Sequence, residues 1–166
     1  AAGGRAGPAA ADRDRDGDPS VSHTTSGASE PQPAPGAGIG VIGIDHVQLL
    51  MPVRGEPQAR RFYGEVLGLR EVPKPAALAD RGGCWFAGPG GAAVHLGLDQ
   101  RFIAARRAHP CLIVADLAAA REALLEAGAP VVEDDANLGV ARCYTADPFG
   151  NRIELVDAAD AGFTAP

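Results

Sequence analysis

The sequence predicts an α+β fold built from two βαβββ units in tandem, preceded by a long polar tail. Three observations carry that prediction. The order strand, helix, short strands runs twice through 39–157, and internal repetition of this kind decides a fold before local detail does. Each predicted helix has a start signal and a glycine stop. Residues 1–38 hold five prolines, seven glycines, no aromatic residue and one large aliphatic, Val21. Such a segment cannot bury enough apolar surface to offset the entropy of ordering it, so 1–38 is expected to be a disordered tail. Within it, Asp12 to Asp16 alternates charge, and Pro31 to Pro35 has the composition of an extended, solvated linker. One domain is expected over 39–157, its modules at about 39–98 and 109–157, with a short C-terminal tail over 158–166.

The first strand is expected over Ile42–Met51. Pro57 suits the first turn of a helix, and Ala59, Phe62, Tyr63, Val66 and Leu67 recur at helical spacing behind it. Gly68 is placed to end that helix in a left-handed conformation. Short strands follow at Leu69–Val72, Cys84–Ala87 and Ala92–Leu98. The second unit opens with a strand over His109–Ala115. Asp116 is then a good N-cap for a helix that turns Leu117, Leu124 and Leu125 inward and stops at Gly128. Strands are expected at Val131–Glu133, Val140–Thr145 and Arg152–Asp157. Asp147-Pro-Phe-Gly-Asn151 reads as the turn into the last of them, with Pro fixing φ and Gly or Asn able to take a positive φ.

Composition narrows the function. With 166 residues there is room for one core. The net charge of −6 argues against non-specific nucleic-acid binding, which needs a basic surface. No apolar run reaches the ~18 residues of a membrane-spanning helix. The three cysteines, Cys84, Cys111 and Cys143, form no C-x-x-C and are odd in number, so neither a disulfide framework nor a zinc knuckle is indicated. The tail lacks the apolar centre of a secretory signal, and its acidic residues count against a transit peptide. A reducing, cytoplasmic setting is expected.

Three of the four histidines fall on predicted strands, and His23 lies in the tail. His46 and His109 sit on the opening strand of each unit. His95 lies on the closing strand of the first unit, where the second unit has Glu154. Residues two apart on a strand share a face. Val94, Leu96 and Leu98 therefore oppose His95, and Ile153 and Leu155 oppose Glu154. Leu112 and Val114 likewise oppose His109. On the first strand Val47 and Leu49 oppose His46, although Ile42, Ile44 and Leu50 share its side. A single strand histidine is ordinarily a hydrogen-bonded or surface residue, and Glu154 alone would read as a solvated edge side chain. Four polar residues at matching places of a repeat, on the face away from the aliphatic core, point instead to a metal site of nitrogen and oxygen donors.

These residues resemble the vicinal oxygen chelate superfamily, which groups glyoxalase I, extradiol ring-cleaving dioxygenases, fosfomycin-resistance thiol transferases, methylmalonyl-CoA epimerase and bleomycin-resistance proteins. The resemblance rests on Ile44-Asp-His-Val47, Phe62-Tyr-Gly-Glu-Val-Leu-Gly-Leu69, Val94-His-Leu-Gly97, His109 with Val114-Ala-Asp-Leu117, and Asp147 to Leu155. It implies paired βαβββ modules closing into a U-shaped mixed-sheet barrel around one divalent metal ion (Zn, Ni, Co, Mn or Fe(II)) in a protein that acts as a homodimer. It also implies that His46, His95, His109 and Glu154 are the metal ligands. A glyoxalase-like lyase or isomerase is the leading expectation. There the metal is a Lewis acid for a small oxygenated substrate, and Glu154 moves the proton. His95 stands where typical glyoxalase I has a second Glu, which counts against glutathione-hemithioacetal chemistry.

A ring-cleaving dioxygenase is the first alternative, with His46, His109 and Glu154 as the facial triad of Fe(II), His95 as an acid or base beside it, and Tyr144 bonded to the substrate oxygen. A shorter chain than such enzymes usually have counts against it, and the ordinary role of Tyr144 is strand packing. The second alternative is an antibiotic-binding resistance protein without turnover, although the bleomycin-binding members lack such ligands. Arg101 and Arg106, with Arg107, are candidate anion contacts in the connector between the units, or else a solvated face. Trp85 is a candidate pocket wall, Cys111 shares the His109 face by parity, and Gly88-Pro-Gly-Gly91 reads as a turn without phosphate-loop spacing.

Overall fold

The structure is a computed structural model, and it describes residues 39–134 and 139–162. The expected tail over 1–38, His23 included, and the end of the expected C-terminal tail (163–166) lie outside the described residues. Residues 39–41 belong to a unit of their own and have no secondary structure.

The fold begins with β1 (Val47–Met51) and helix α1 (Glu56–Ala59), which continues as a wider-turned π segment over Arg60–Val66. Strands β2 (Arg70–Val72), β3 (Cys84–Ala87) and β4 (Ala93–Leu98) follow. The second unit runs β5 (Cys111–Val114), α2 (Leu117–Glu126), β6 (Val132–Glu133), β7 (Arg142–Ala146) and β8 (Arg152–Asp157). Each unit is a four-stranded mixed sheet, ordered β1-β4-β3-β2 and β5-β8-β7-β6. In each, the opening strand pairs in parallel with the last one, and the remaining pairings are antiparallel. The predicted pair of βαβββ units is the architecture.

Both helix ends follow the chemistry of their residues. Asp116 caps α2 by accepting from the Ala119 N–H, and Gly128 (φ +73°) ends it. Gly68 (φ +69°) ends the first helical stretch. There the Leu67 N–H reaches the Phe62 carbonyl, five residues back, which is the bond that widens the turn. Ala59, Phe62 and Tyr63 still face inward. They join Met51, Phe86, Leu96, Leu117, Leu124, Ile153 and Leu155 in one core that draws on both units.

Three expectations are corrected. The first strand starts at Val47, because β4 begins only at Ala93 and offers Ile42–Asp45 no ladder to join. His46 and His109 therefore stand just ahead of β1 and β5 and not on them. Leu125 is exposed, because Leu117, Ala120 and Leu124 already fill the inward stripe of α2 and Leu125 is turned about 100° away from it.

The turn Asp147–Asn151 ties the two units together. The Asp147 carboxylate accepts from the Phe149 and Asn151 backbone N–H groups and, on its other oxygen, from the Asn151 side chain and the Tyr63 hydroxyl (2.8 Å). The Asn151 amide also donates to the Leu50 carbonyl. Gly55 is needed opposite this turn, since a Cβ there would meet both Pro52 O and the Phe149 ring at about 3 Å.

Candidate metal centre

The strand ladders place the polar residues in two equivalent rows. In the first sheet, the residue two beyond His46 (Gln48) pairs with His95, which pairs with Trp85, which pairs with Val72. In the second, the residue two beyond His109 (Cys111) pairs with Glu154, then Tyr144, then Val132. His46 thus corresponds to His109, His95 to Glu154, and Trp85 to Tyr144.

The second row is tightly bonded. The His109 Nδ1–H donates to the Arg107 carbonyl at 2.6 Å, and Nε2 lies 3.0 Å from Glu154 Oε2. A carbonyl only accepts, so Nδ1 carries a hydrogen and Nε2 is the ring nitrogen turned to the carboxylate. Glu154 Oε1 accepts from Arg142 at 3.1 Å, and Arg142 is itself anchored through Nε to the Asp134 carboxylate. Glu154 is buried at 9% exposure, so these partners replace the water its charge has lost. Tyr144 stands edge-on to His109 with centroids 5.5 Å apart, and the Arg152 guanidinium covers its ring at 3.8 Å.

In the first row, the rings of His46, His95 and Trp85 form a continuous stack. His95 lies 3.9 Å from Trp85 at 5° and 4.1 Å from His46 at 23°. Trp85 is therefore on the His95 side of the sheet, away from the core. Burial, and then the neighbouring His46, lower the His95 pKa below its ordinary value. His46 Nδ1 also lies 3.2 Å from the exposed Asp45 carboxylate. A cleft of about 440 Å3 lies between the approach to β1 and the edge of β5, bordered by Ile44, His46, Val47, Cys111 and Ile113.

The fit of a divalent ion differs between the rows. Two donors ~2.1 Å from a shared ion stand roughly 3.0–3.4 Å apart, and His109 Nε2 with Glu154 Oε2 meets that spacing. Arg142 keeps the other carboxylate oxygen, which leaves Glu154 one oxygen to offer. Imidazole lone pairs lie in the ring plane, so the stacked rings of His46 and His95 do not aim at a common point. Among the described residues, no group of three or more His, Cys, Asp or Glu side chains is placed to hold a metal ion. One chain thus presents a fitting pair, and it does not bring the four donors together.

Arg101 and Arg106 stand exposed in the connector before β5, where the Arg101 N–H bonds Asp99. The sequence pattern does not single out Arg142 or Asp134. Strand parity could have found Arg142, which is two residues from Tyr144 and so on the same face. Among the described residues, no helix is long and apolar enough to cross a membrane.

The glyoxalase-like domain family matches residues 49–156. A glyoxalase family protein from Bacillus anthracis is 46% identical, with a TM-score of 0.67 over 70% of this chain and 95% of that one. A lactoylglutathione lyase from Agrobacterium tumefaciens is 22% identical (TM-score 0.51; 70% and 95% covered). A genomically encoded fosfomycin resistance protein from Listeria monocytogenes is 13% identical (TM-score 0.58; 70% and 93% covered). The last two share the fold. No curated protein matches. The matched span takes in β2 to β7, the end of β1 and nearly all of β8, and with them His95, His109 and Glu154; the chain belongs to the glyoxalase-like family of the vicinal oxygen chelate superfamily.

Proposed function

We propose that the protein is a divalent-metal-dependent lyase or isomerase of the glyoxalase type, acting on a small oxygenated substrate. The observation that carries this reading is the His109–Glu154 pair, held at 3.0 Å with one carboxylate oxygen tied to Arg142. His109 and Glu154 would hold the ion, and His46 and His95 are the proposed remaining donors, a role that requires their rings to leave the stack. When bound, the ion supplies Lewis-acid polarisation of two substrate oxygens. Glu154 is the proposed proton carrier, its carboxylate oriented by Arg142. Tyr144, edge-on to His109, is the proposed hydrogen-bond donor to the substrate. Trp85 forms a wall beside His95, and Arg101 and Arg106 meet an anionic end of the substrate.

The donors occur as one pair per sheet, and β1 and β5 each have one edge without a strand partner in the described fold. Leu50 and Ile113 on those strands are exposed. The active form is therefore proposed to be a homodimer in which a second copy completes the donor set.

Metal analysis of protein purified without chelator or a metal-binding tag tests the reading. Bound nickel, zinc, cobalt or manganese with isomerisation of an α-hydroxycarbonyl substrate is expected, and His109→Ala should strip the metal while keeping the fold. Unchanged metal content in that variant would refute the centre. Iron with oxygen uptake on catechols would select ring cleavage in its place, and tight ligand binding without turnover would select a binder. If the site is shared, inactive His46→Ala and His109→Ala chains should regain activity on mixing.

A further inference from the structure

A second concavity lies on the first unit, and it has no lining residue in common with the cleft beside His46. It is a groove of about 580 Å3. Its lining includes Gly82 (φ +67°) and Gly83 (φ +81°). A Cβ on Gly83 would lie 2.2 Å from the Leu96 carbonyl oxygen, so the close approach of this backbone to β4 requires glycine. Pro57, Val72, Pro73 and Ala79 give it apolar walls, and Arg54, Arg60 and Lys74 bring positive charge.

The charges on the groove do not balance. Arg60 is committed to Glu71, with three hydrogen bonds between 2.9 and 3.1 Å. Glu56 accepts from the Gly83 N–H. Lys74 donates to the Gly82 carbonyl, a neutral partner. Among the described residues, neither Arg54 nor Lys74 has a carboxylate at ion-pair distance. Three cations, Arg54, Arg60 and Lys74, thus face two carboxylates, Glu56 and Glu71, and the groove keeps one positive charge in excess on a chain whose net charge is −6.

Arg54 also holds an unfavourable backbone. Its φ of +69° is the one positive value at a non-glycine among the described residues. It is the third residue of the turn closed by the Gly55 N–H on the Pro52 carbonyl (3.1 Å), a position where a positive φ favours Gly or Asn. Gly would relieve the strain, yet the position carries an arginine that lines the groove. Backbone strain kept at a concave, charged place is a mark of a functional side chain.

We infer that this groove is a second ligand site, in which Arg54 and Lys74 bind the carboxylate or phosphate of a small organic anion whose apolar body rests between Pro57, Val72 and Ala79. The proposal is independent of the metal centre. Amide chemical shifts of the full chain, titrated with inorganic phosphate and separately with butyrate at constant ionic strength, test it. Saturable shifts at Gly82, Gly83 and Arg54 are expected, and the anion that saturates at the lower concentration identifies the group preferred. R54Q removes the charge and keeps the strain, so it should weaken binding about tenfold, the equivalent of one charge-assisted contact. R54G should weaken binding equally while raising Tm by about 2 °C through relief of the strain. Binding in R54Q and R54G equal to that of the unmodified chain would overturn the proposal. So would shifts confined to the Arg101–Arg107 connector, or no saturation with either anion.

Discussion

Tyr63→Phe is the sharpest test of how the two units are joined. The phenol is fully buried, and its hydroxyl donates at 2.8 Å to a carboxylate whose residue is 5% exposed. Burial, and then the charge of Asp147, push the Tyr63 pKa well above its ordinary value, so the hydroxyl remains a donor at any usable pH. Phe fills the same volume, leaving no cavity; the change deletes one of four donors to a buried acceptor and no water can replace it. A hydrogen bond to a charged group is worth ~1.5–3 kcal/mol, and about 2 kcal/mol is expected here because three donors remain on the carboxylate. For a chain of this size that is a fall in Tm of roughly 4–8 °C. Urea unfolding followed by Trp85 fluorescence and far-ultraviolet dichroism reads it, with the m-value unchanged. Asp147→Ala should cost more, since two backbone N–H groups lose their acceptor as well, and a double-mutant cycle should give a coupling of about 1 kcal/mol or more. A loss below about 0.5 kcal/mol for Tyr63→Phe would refute the argument that this bond fastens the units.

Three further outcomes follow from the same structure. Gly83→Ala puts a methyl group 2.2 Å from a backbone oxygen at a φ of +81°, and thermal unfolding should show a loss of about 3 kcal/mol or more. Because the folded chain lowers the His95 pKa, the unfolded chain binds the proton more tightly. Stability should therefore be whole above about pH 6.5 and fall as pH drops through that value toward the folded pKa, with a flatter Tm profile in His95→Gln. An unchanged slope in that variant would count against the effect. Cys84, whose thiol is pushed up to about 11 by burial, and buried Cys143 should resist a thiol reagent that modifies exposed Cys111, giving one fast equivalent in three.

Much of this was legible beforehand because strand parity is a strict rule. Alternation placed His95 and Glu154 opposite the aliphatic residues, and the ladders put them at equivalent positions. The opening strands were misjudged because Ile42 and Ile44 alternate like strand residues while a strand exists only where a neighbour offers bonds. The π segment was not legible either. Its spacing reads as ordinary helix, and the wider turn shows only in bonds such as that from the Leu67 N–H to the Phe62 carbonyl. The pairing of Glu154 with Arg142 depends on a residue 12 positions away across a hairpin, which periodicity does not rank above any other surface arginine.

The matched ladders have a consequence for symmetry. A frame whose halves repeat the same wiring would treat the two ends of a bound molecule alike. Here one half sets an imidazole under an indole and the other sets a carboxylate beside a phenol. That single inequality gives the frame a front and a back: one flank carries a buried carboxylate held by an arginine, and the other a flat stack of rings.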